Sequence, residues 1–360
     1  MKRIGIISSY AWIKVANNYG ALLQYYALQQ YLICKGHSAF WIRFVLYHNF
    51  NTSLTLNTIK RFLRHPLIYL STLKCHKSFL KFCEHYLYMS NKIYDKESNP
   101  NSYPIADYYI TGSDQVWGGT QPEYYLSFVN ENSKKISYAA SFGKGEISEE
   151  HFNNVAPLIK QFAKVSVRED KGVEICKRMG VDAQHLLDPT LLLDKDSYPH
   201  TKPIYTQSYV FTYFLNLRQL NDVRWCDIKS FCKKNGLHLK VCAVQGSQYL
   251  FNHKDLVYLN PVEWLTAYQY ASCILTNTFH GTAFAIIHQR PFLCILQTGE
   301  SANQNNRMLS LLKTVGLENR ILHPNQTIEE AMNTPISWDK VAMQLTKMRL
   351  KTDDFFSFLE

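Results

Sequence analysis

The sequence lacks any long apolar run. None of its hydrophobic stretches reaches the ~18 residues that a transmembrane helix needs. The N-terminus MKRIGIISSYAWIK has neither the sustained apolar stretch nor the small-residue cleavage site of a signal peptide. We therefore expect a cytoplasmic protein without a membrane-spanning segment.

Paired cysteines are absent as well. The nine cysteines are scattered, odd in number and never spaced as CxxC, which argues against a disulfide framework and against a zinc site. We expect reduced, mostly buried thiols. The chain also has no zinc-finger spacing, no RNA-recognition signature and no helix-turn-helix pattern, so nucleic acid is not an expected partner.

Positive charge is in excess, with 39 basic and 29 acidic residues, and this should draw anions to part of the surface. Residues 56–92 hold seven Lys or Arg against one acid, Glu84, with Phe and Tyr interleaved. Pro66 predicts two helices there. The segment is either a solvated helical insertion or a basic amphipathic surface that lies on anionic lipid.

Predicted strands and helices alternate along the whole chain. The predicted strands are residues 3–8, 37–44, 108–112, 136–140, 164–168, 209–215, 237–244, 273–278 and 291–296. The predicted helices are residues 21–35, 148–163, 171–179, 219–235, 261–272 and 281–289. Alternation of this kind implies parallel sheets covered on both faces. We therefore predict an α/β fold with two doubly wound, Rossmann-like domains that face a cleft.

The proline-containing stretch after residue 193 is the predicted linker between the domains. It places the first domain at residues 1–194, with a basic helical insertion at about 48–100. The second domain covers residues 205–345, and residues 346–360 form a C-terminal tail.

Polar motifs follow several of the predicted strands: NNYG at 17–20, TGSDQ at 111–115, SVRE at 166–169 and NTFHG at 277–281. Open parallel sheets bind ligands beyond the carboxyl ends of their strands, so these motifs should meet at the cleft. In the last one, Thr278 or Thr282 can cap the helix, whereas neither strand nor helix needs the imidazole of His280. Arg307 begins another helix, where a helix N-terminus and a guanidinium together favour an anion.

Each motif alone has a structural explanation. Asp114 can form a turn or cap a helix, Arg168 can pair with a neighbouring acid, and Asp188 precedes a proline in a common type of turn. His280 can be satisfied by local hydrogen bonds. The number of these motifs and their order along the chain are more specific than any one of them alone.

In that order the segments resemble the polysaccharide pyruvyl transferase family. The matching segments are NYGALLQYYAL, ITGSDQVW, ISYAASFG, VSVRE followed by Gly172, LLDPTLLL, TNTFHGTAFAI and the Asn-Arg before SLLKTVGL. They run from residue 17 to about 320, and segment 48–100 lies outside the match. The resemblance implies a GT-B-like fold and an enzyme that moves the enolpyruvyl group of phosphoenolpyruvate onto two hydroxyls of one sugar. The products are a cyclic pyruvate ketal and phosphate.

The resemblance also implies roles for particular residues. Phosphoenolpyruvate carries a phosphate and a carboxylate, which call for fixed cations and backbone N–H groups. The candidates for donor binding are Arg168, His280, Gly281, Thr282 and Arg307. Those for chemistry are His280 as proton donor, Arg168, and Asp114 as the base, with Asp188 as the alternative base. The expected acceptor contacts are Asn18, Tyr19, Ser113 and Gln115. No redox cofactor and no obligatory metal are expected.

Two other functions remain open at this point. The same fold could be a GT-B glycosyltransferase that uses a nucleotide sugar, or a non-catalytic carbohydrate-binding protein. The acceptor, expected to be a sugar in a repeat unit of an exopolysaccharide or capsular polysaccharide, is either lipid-linked at the inner membrane or free. In the first case the enzyme would be peripheral at that membrane through residues 56–92.

Overall fold

The computed structural model describes residues 1–9, 17–46 and 56–360, and of residues 56–59 it describes the backbone alone. Residues 48–55 of the expected insertion therefore lie outside the described residues. Among the described helices, none is both long and apolar enough to cross a bilayer.

The first domain is built on a sheet of seven parallel strands in the order β3-β2-β1-β4-β5-β6-β7. Its strands are β1 Arg3–Ile7, β2 Ser38–Phe44, β3 Met89–Tyr94, β4 Tyr108–Thr111, β5 Lys135–Ala140, β6 Lys164–Val167 and β7 Gln184–His185. Its helices are α1 Tyr19–Cys34, α2 Leu56–Arg64, α3 Pro66–Tyr86, α4 Glu149–Ile159 and α5 Asp170–Arg178. Every residue of β5 is buried, as a central parallel strand requires.

The second domain is built on four parallel strands in the order β11-β10-β8-β9. These strands are β8 Tyr209–Phe214, β9 His238–Ala243, β10 Cys273–Thr276 and β11 Phe292–Cys294. The helices that follow the first domain are α6 Trp225–Lys234, α7 Pro261–Tyr270, α8 Phe279–Ile287, α9 Asn305–Val315, α10 Ile328–Asn333 and α11 Trp338–Phe356. The two parallel sheets confirm the predicted α/β class.

The expected insertion differs from its prediction in one respect. Pro66 does separate two helices and stands at the first position of α3, where its missing N–H costs nothing. Residues 89–94, however, form an edge strand, β3, that pairs in parallel with β2. The segment 48–100 is therefore partly integral to the first sheet rather than wholly an added helical hairpin.

The expected C-terminal tail is also not a tail. Residues 346–356 are the second half of α11, and this helix returns to the first domain. The ring of Phe356 stacks on Tyr138, with 5.0 Å between centroids. Arg349 donates to the carbonyls of Leu191 and Leu193 and pairs with Asp194 at 2.7 Å. Buried apolar residues at helical spacing drive this packing.

Candidate active site

One cavity of about 310 Å³ lies between the two sheets. Its walls come from residues that follow the carboxyl ends of six strands, together with the starts of helices. The lining residues are Ser9, Asn18, Asp114, Gln115, Tyr213, Leu215, Asn216, Gln245, Thr278, Phe279, His280, Gln297, Gln304 and Arg307. This is the position at which doubly wound domains bind ligands.

His280 is held in the first turn of α8. Thr278 caps this helix, and its hydroxyl accepts from the N–H of Gly281 at 2.8 Å, as the sequence predicts. The imidazole is buried, and its Nε2 lies 3.6 Å from Oδ2 of Asp188. A Cβ at Gly20 would lie 2.2 Å from Cγ of His280. Glycine in the first turn of α1 is therefore what gives the ring its space.

A buried ion pair lies behind the histidine. Nη1 of Arg168 donates to Oδ2 of Asp188 at 2.7 Å, and Ser113 donates to the same oxygen. The N–H and hydroxyl of Thr190 donate to the other carboxylate oxygen. Burial alone would raise the pKa of Asp188, but attraction to His280 and Arg168 and the hydrogen bonds outweigh it and hold that pKa well below its usual range. Asp188 is thus a charged group that positions Arg168 and His280.

A second buried guanidinium, that of Arg307, lies close to that of Arg168, and both groups have N–H donors without a partner in the described part of the chain. Among the described residues, Nε and Nη2 of Arg168 and Nε of Arg307 have no hydrogen-bond partner. Burial, followed by repulsion from Arg168, lowers the pKa of Arg307 to about 10. With its amide oxygen turned toward Arg307, Gln115 accepts from Nη1 and Nη2 at 2.7 and 2.8 Å. Spare buried N–H groups on mutually repelling cations favour an anionic ligand.

Asp114 follows β4 in a left-handed conformation, with a φ of 80°. Its carboxylate lines the cavity, and the nearest cation atom is Nη2 of Arg168 at 3.9 Å. A positive φ is uncommon for a residue other than glycine, although aspartate tolerates it better than most. Unlike Asp188, this carboxylate accepts no short hydrogen bond from a side chain among the described residues.

Of the expected acceptor residues, Asn18 and Gln115 line the cavity. Asn18 also caps α1, since its Oδ1 accepts from the N–H of Ala21. The structure does not bring Tyr19 to the cavity. Its side chain is buried, stacks on Trp264 and donates to the carbonyl of Leu259 at 2.6 Å.

Three further expected residues serve the framework rather than the cavity wall. Ser113 is buried and donates to Asp188. The hydroxyl of Thr282 is buried and donates to the carbonyl of Thr278 at 3.0 Å. A Cβ at Gly281 would lie 2.1 Å from Oγ1 of Thr276, so this glycine lets α8 pack on the end of β10. These are corrections to the predicted contacts.

The structure adds residues that the sequence analysis did not select. Glu169 is fully buried beside Arg168, its Oε1 accepts from Ser141 and from the N–H of Phe142, and burial raises its pKa. The sequence signal for Glu169 was its position in the SVRE motif, at the end of a predicted strand. Asn216 and Gln245 line the cavity, and their only signal was a polar residue after a predicted strand.

Within residues 1–9, 17–46 and 56–360, no group of three or more His, Cys, Asp and Glu side chains is placed to hold a metal ion. The expectation of a reaction without an obligatory metal stays a prediction.

Solved structures share this architecture. The structure resembles Staphylococcus aureus MnaA, solved with UDP, with a TM-score of 0.53 and 10% identity over 100% of this chain and 97% of that chain. It also resembles a putative UDP-N-acetylglucosamine 2-epimerase from Listeria monocytogenes, with a TM-score of 0.52 and 8% identity over 96% of this chain and 90% of that chain. At such low identity the likeness shows the fold alone, which is the GT-B fold of glycosyltransferases and epimerases.

Sequence comparison gives the family. No curated protein sequence matches the chain significantly. The profile of the polysaccharide pyruvyl transferases matches residues 18–297. This range begins at the N-cap of α1 and includes His280, Asp114 and the Arg168–Asp188 pair. The chain therefore belongs to the polysaccharide pyruvyl transferase family, and it is a transferase with a GT-B fold.

Proposed function

We propose that the protein transfers the enolpyruvyl group of phosphoenolpyruvate to two hydroxyls of a sugar in a surface-polysaccharide repeat unit. The observation that carries the proposal is that Arg307 and His280 line one cavity while Arg168 is buried behind them on Asp188, and that both guanidinium groups have N–H donors without a partner among the described residues. Phosphoenolpyruvate presents two anionic groups, and guanidinium matches both phosphate and carboxylate in geometry.

The residues fit the steps that the reaction requires. Protonation of the methylene carbon makes C2 of the donor electrophilic, and the first sugar hydroxyl adds to C2 as it loses its proton to a base. The C2–O bond to phosphate then breaks, and the second hydroxyl adds to C2 and closes the ketal as its proton passes to the released phosphate. In this scheme His280 delivers or shares the proton, and Arg168 and Arg307 stabilise the departing phosphate. Asp188 keeps Arg168 and His280 in place.

We assign the base for the sugar hydroxyl to Asp114 rather than Asp188. Every short contact of Asp188 comes from a donor that stabilises its charged form, so it is a weak proton acceptor. Asp114 lines the cavity, and its nearest cation atom is 3.9 Å away. It is the acid that a sugar can reach.

Asp114→Asn is expected to slow ketal formation about tenfold to a thousandfold, because it removes the base, while the thermal stabilisation by phosphoenolpyruvate persists. Phosphate release and the donor-induced rise in Tm measure the two effects separately. Asp182→Asn, at an exposed acid of the same domain, is the matched control. An unchanged rate and pH–rate profile in Asp114→Asn would contradict the assignment.

The donor itself is tested by comparing ligands. Phosphoenolpyruvate should raise the Tm of the protein, whereas a uridine or guanosine diphosphate sugar should not. Mass spectrometry of simple glycosides incubated with phosphoenolpyruvate should then show the mass of a ketal. Stabilisation by a nucleotide sugar alone would favour a glycosyltransferase. Sugar binding without phosphate release would favour the non-catalytic alternative.

As part of this function we propose that the enzyme meets a lipid-linked acceptor at an anionic membrane. The corner between α2 and α3 exposes large apolar side chains next to cations. The exposed apolar residues are Phe62, Leu63, Leu67 and Leu70, at 40, 71, 61 and 54%. The exposed cations are Lys60, Arg61, Arg64, Lys74, Lys77 and Lys81. Apolar anchors ringed by cations are typical of surfaces that bind anionic lipid.

This corner contacts the second domain. Arg61 lies over the ring of Tyr249, with 5.6 Å to its centroid, and Ser71 contacts His253 at 3.2 Å. Both partners lie in the segment that directly follows Gln245 of the cavity wall. A lipid-linked sugar held under α2 and α3 would therefore lie beside the domain that forms one wall of the cavity.

The protein should co-sediment with anionic vesicles at low salt, ignore neutral vesicles and dissociate at high salt, because each cation contributes at most about 1 kcal/mol and is screened within a Debye length. Changing Lys74, Lys77 and Lys81 to Glu should abolish sedimentation.

The matched control changes Lys229, Lys233 and Lys347 to Glu, which alters net charge equally at exposed positions outside this corner. Equal sedimentation with neutral and anionic vesicles, or none at low salt, would instead favour a solvated insertion and a soluble acceptor.

A further inference from the structure

Three amide side chains line the cavity on strand ends of the second sheet. Asn216 follows β8, Gln245 follows β9 and Gln297 follows β11. In the register of β8 and β9, Phe214 pairs with Ala243. Asn216 and Gln245 each come two residues after this pair, beyond the ends of both strands. The two amides thus line the cavity just past the ends of adjacent strands.

Both residues have a left-handed backbone, which is rare for glutamine and more common for asparagine. The φ angle is 58° at Asn216 and 55° at Gln245, in the left-handed region that glycine occupies without strain. Among the described residues, neither side chain makes a hydrogen bond that would explain why an amide is kept there. Non-glycine residues in this conformation are concentrated at ligand sites.

The third amide also has unused capacity. Nε2 of Gln297 donates to the carbonyl of Asn277 at 2.9 Å, whereas its Oε1 is buried and without a donor among the described residues. Gln297 is nevertheless tied to the start of α9, since it exchanges two hydrogen bonds with Asn305. Asn216 and Gln245 are therefore the amides whose hydrogen-bonding atoms are left for whatever occupies the cavity.

The chemistry of this wall differs from that of the donor side. Among the described residues, the ionisable side chains that line the cavity are Asp114, His280 and Arg307, and none belongs to the segments directly after β8 and β9. An anion held there would lack a cation. A carbohydrate hydroxyl both donates and accepts, and so does a carboxamide, so the wall matches a neutral sugar ring.

We propose that Asn216 and Gln245 form the subsite that holds the acceptor sugar through hydroxyls other than the two that react. This inference rests on the proposed function, and it identifies specificity-determining residues for it. The donor occupies the side of His280 and Arg307, and the sugar ring lies against the ends of β8 and β9.

The test is a glycine substitution, because glycine keeps the left-handed backbone and removes only the amide. Asn216→Gly and Gln245→Gly should each raise the acceptor KM about threefold to tenfold, and the double variant more, as expected for lost hydrogen bonds. The KM for phosphoenolpyruvate and the donor-induced rise in Tm should not change. The acceptors are the methyl glycosides of galactose, glucose, mannose and N-acetylglucosamine.

Gln289→Gly is the matched control. Gln289 is also a glutamine with a positive φ, of 50°, but it is exposed at the far end of α8 and does not line the cavity. This variant should keep the acceptor KM of the wild type. An unchanged acceptor KM in the double variant, or an equal loss of donor binding, would overturn the subsite.

Different results would contradict the proposed function and the proposed subsite. If wild-type protein forms no ketal from any glycoside, pyruvyl transfer to these sugars fails, and saturation-transfer NMR of the same glycosides with protein and phosphoenolpyruvate decides the subsite. A glycoside signal that the double variant loses and Gln289→Gly retains supports it. The absence of any signal, or a signal that the double variant retains, overturns it.

Discussion

Replacing His280 with alanine is expected to lower phosphate release from phosphoenolpyruvate at least about a hundredfold, with the fold intact. The imidazole lines the cavity with its Nε2 3.6 Å from Asp188. Among residues 1–9, 17–46 and 56–360, no other histidine lines this cavity, so none of the described imidazoles is placed to take over the proton transfer. The decisive measurement is kcat in a variant whose Tm and circular dichroism match those of the wild type.

Two further variants separate chemistry from packing. His288→Ala removes another buried histidine of the same region, which faces Tyr268 and Phe284 and does not line the cavity, and it should retain activity. Gly20→Ala leaves His280 in the sequence but places a methyl group in the space of its ring, so it should lower the rate as well. Gly119→Ala, where a Cβ would contact nothing, should be neutral. Near-wild-type turnover in His280→Ala would remove the residue from the chemistry.

Replacing Arg168 with lysine is expected to lower kcat at least about a hundredfold and to leave a folded protein. Lysine keeps a positive charge for Asp188 but cannot supply the two further N–H donors, Nε and Nη2, that Arg168 leaves unused. Alanine is the less informative choice, because it would leave Asp188 buried and unpaired, at a cost of about 3–5 kcal/mol. Steady-state kinetics with both substrates and thermal unfolding give the two readouts.

Arg320→Lys is the matched control for this change. Arg320 is fully buried in the second domain and donates to the carbonyl of Thr334. Its replacement by lysine therefore removes a similarly buried guanidinium group at a position outside the cavity. It should lower Tm without the loss of kcat. If Arg168→Lys turned over like the wild type, Arg168 would have only a structural role.

The α/β class and the two sheets could be predicted because buried parallel strands need continuous apolar runs, and the chain has them at regular intervals. β3 escaped prediction because an edge strand is covered on fewer sides. Its sequence, MSNKIY, is mostly polar, and only Tyr94 is fully buried. The packing of α11 on the first domain was not predicted for another reason. Helical spacing shows that one face of a helix is buried but not which domain buries it.

The candidate site was predictable at the level of loops but not of side chains. The rule that ligands lie beyond strand ends selected the segments of Asp114 and His280, and the start of a predicted helix selected Arg307; all three residues line the cavity. It could not tell that Ser113 points to Asp188 while its neighbour Asp114 lines the cavity, because that depends on a positive φ set by tertiary contacts. Asn216 and Gln245 show the same limit, since a lone polar residue after a strand has no sequence pattern.

The contacts of Arg349 have a mechanical consequence. This side chain, on the helix that returns from the second domain, binds Leu191, Leu193 and Asp194, where the chain leaves the first domain. The two covalent crossings between the domains are therefore fastened to each other. An opening of the cleft by rotation about these crossings would have to break the hydrogen bonds of Tyr19 with Leu259 and of Ser71 with His253, which also join the two domains.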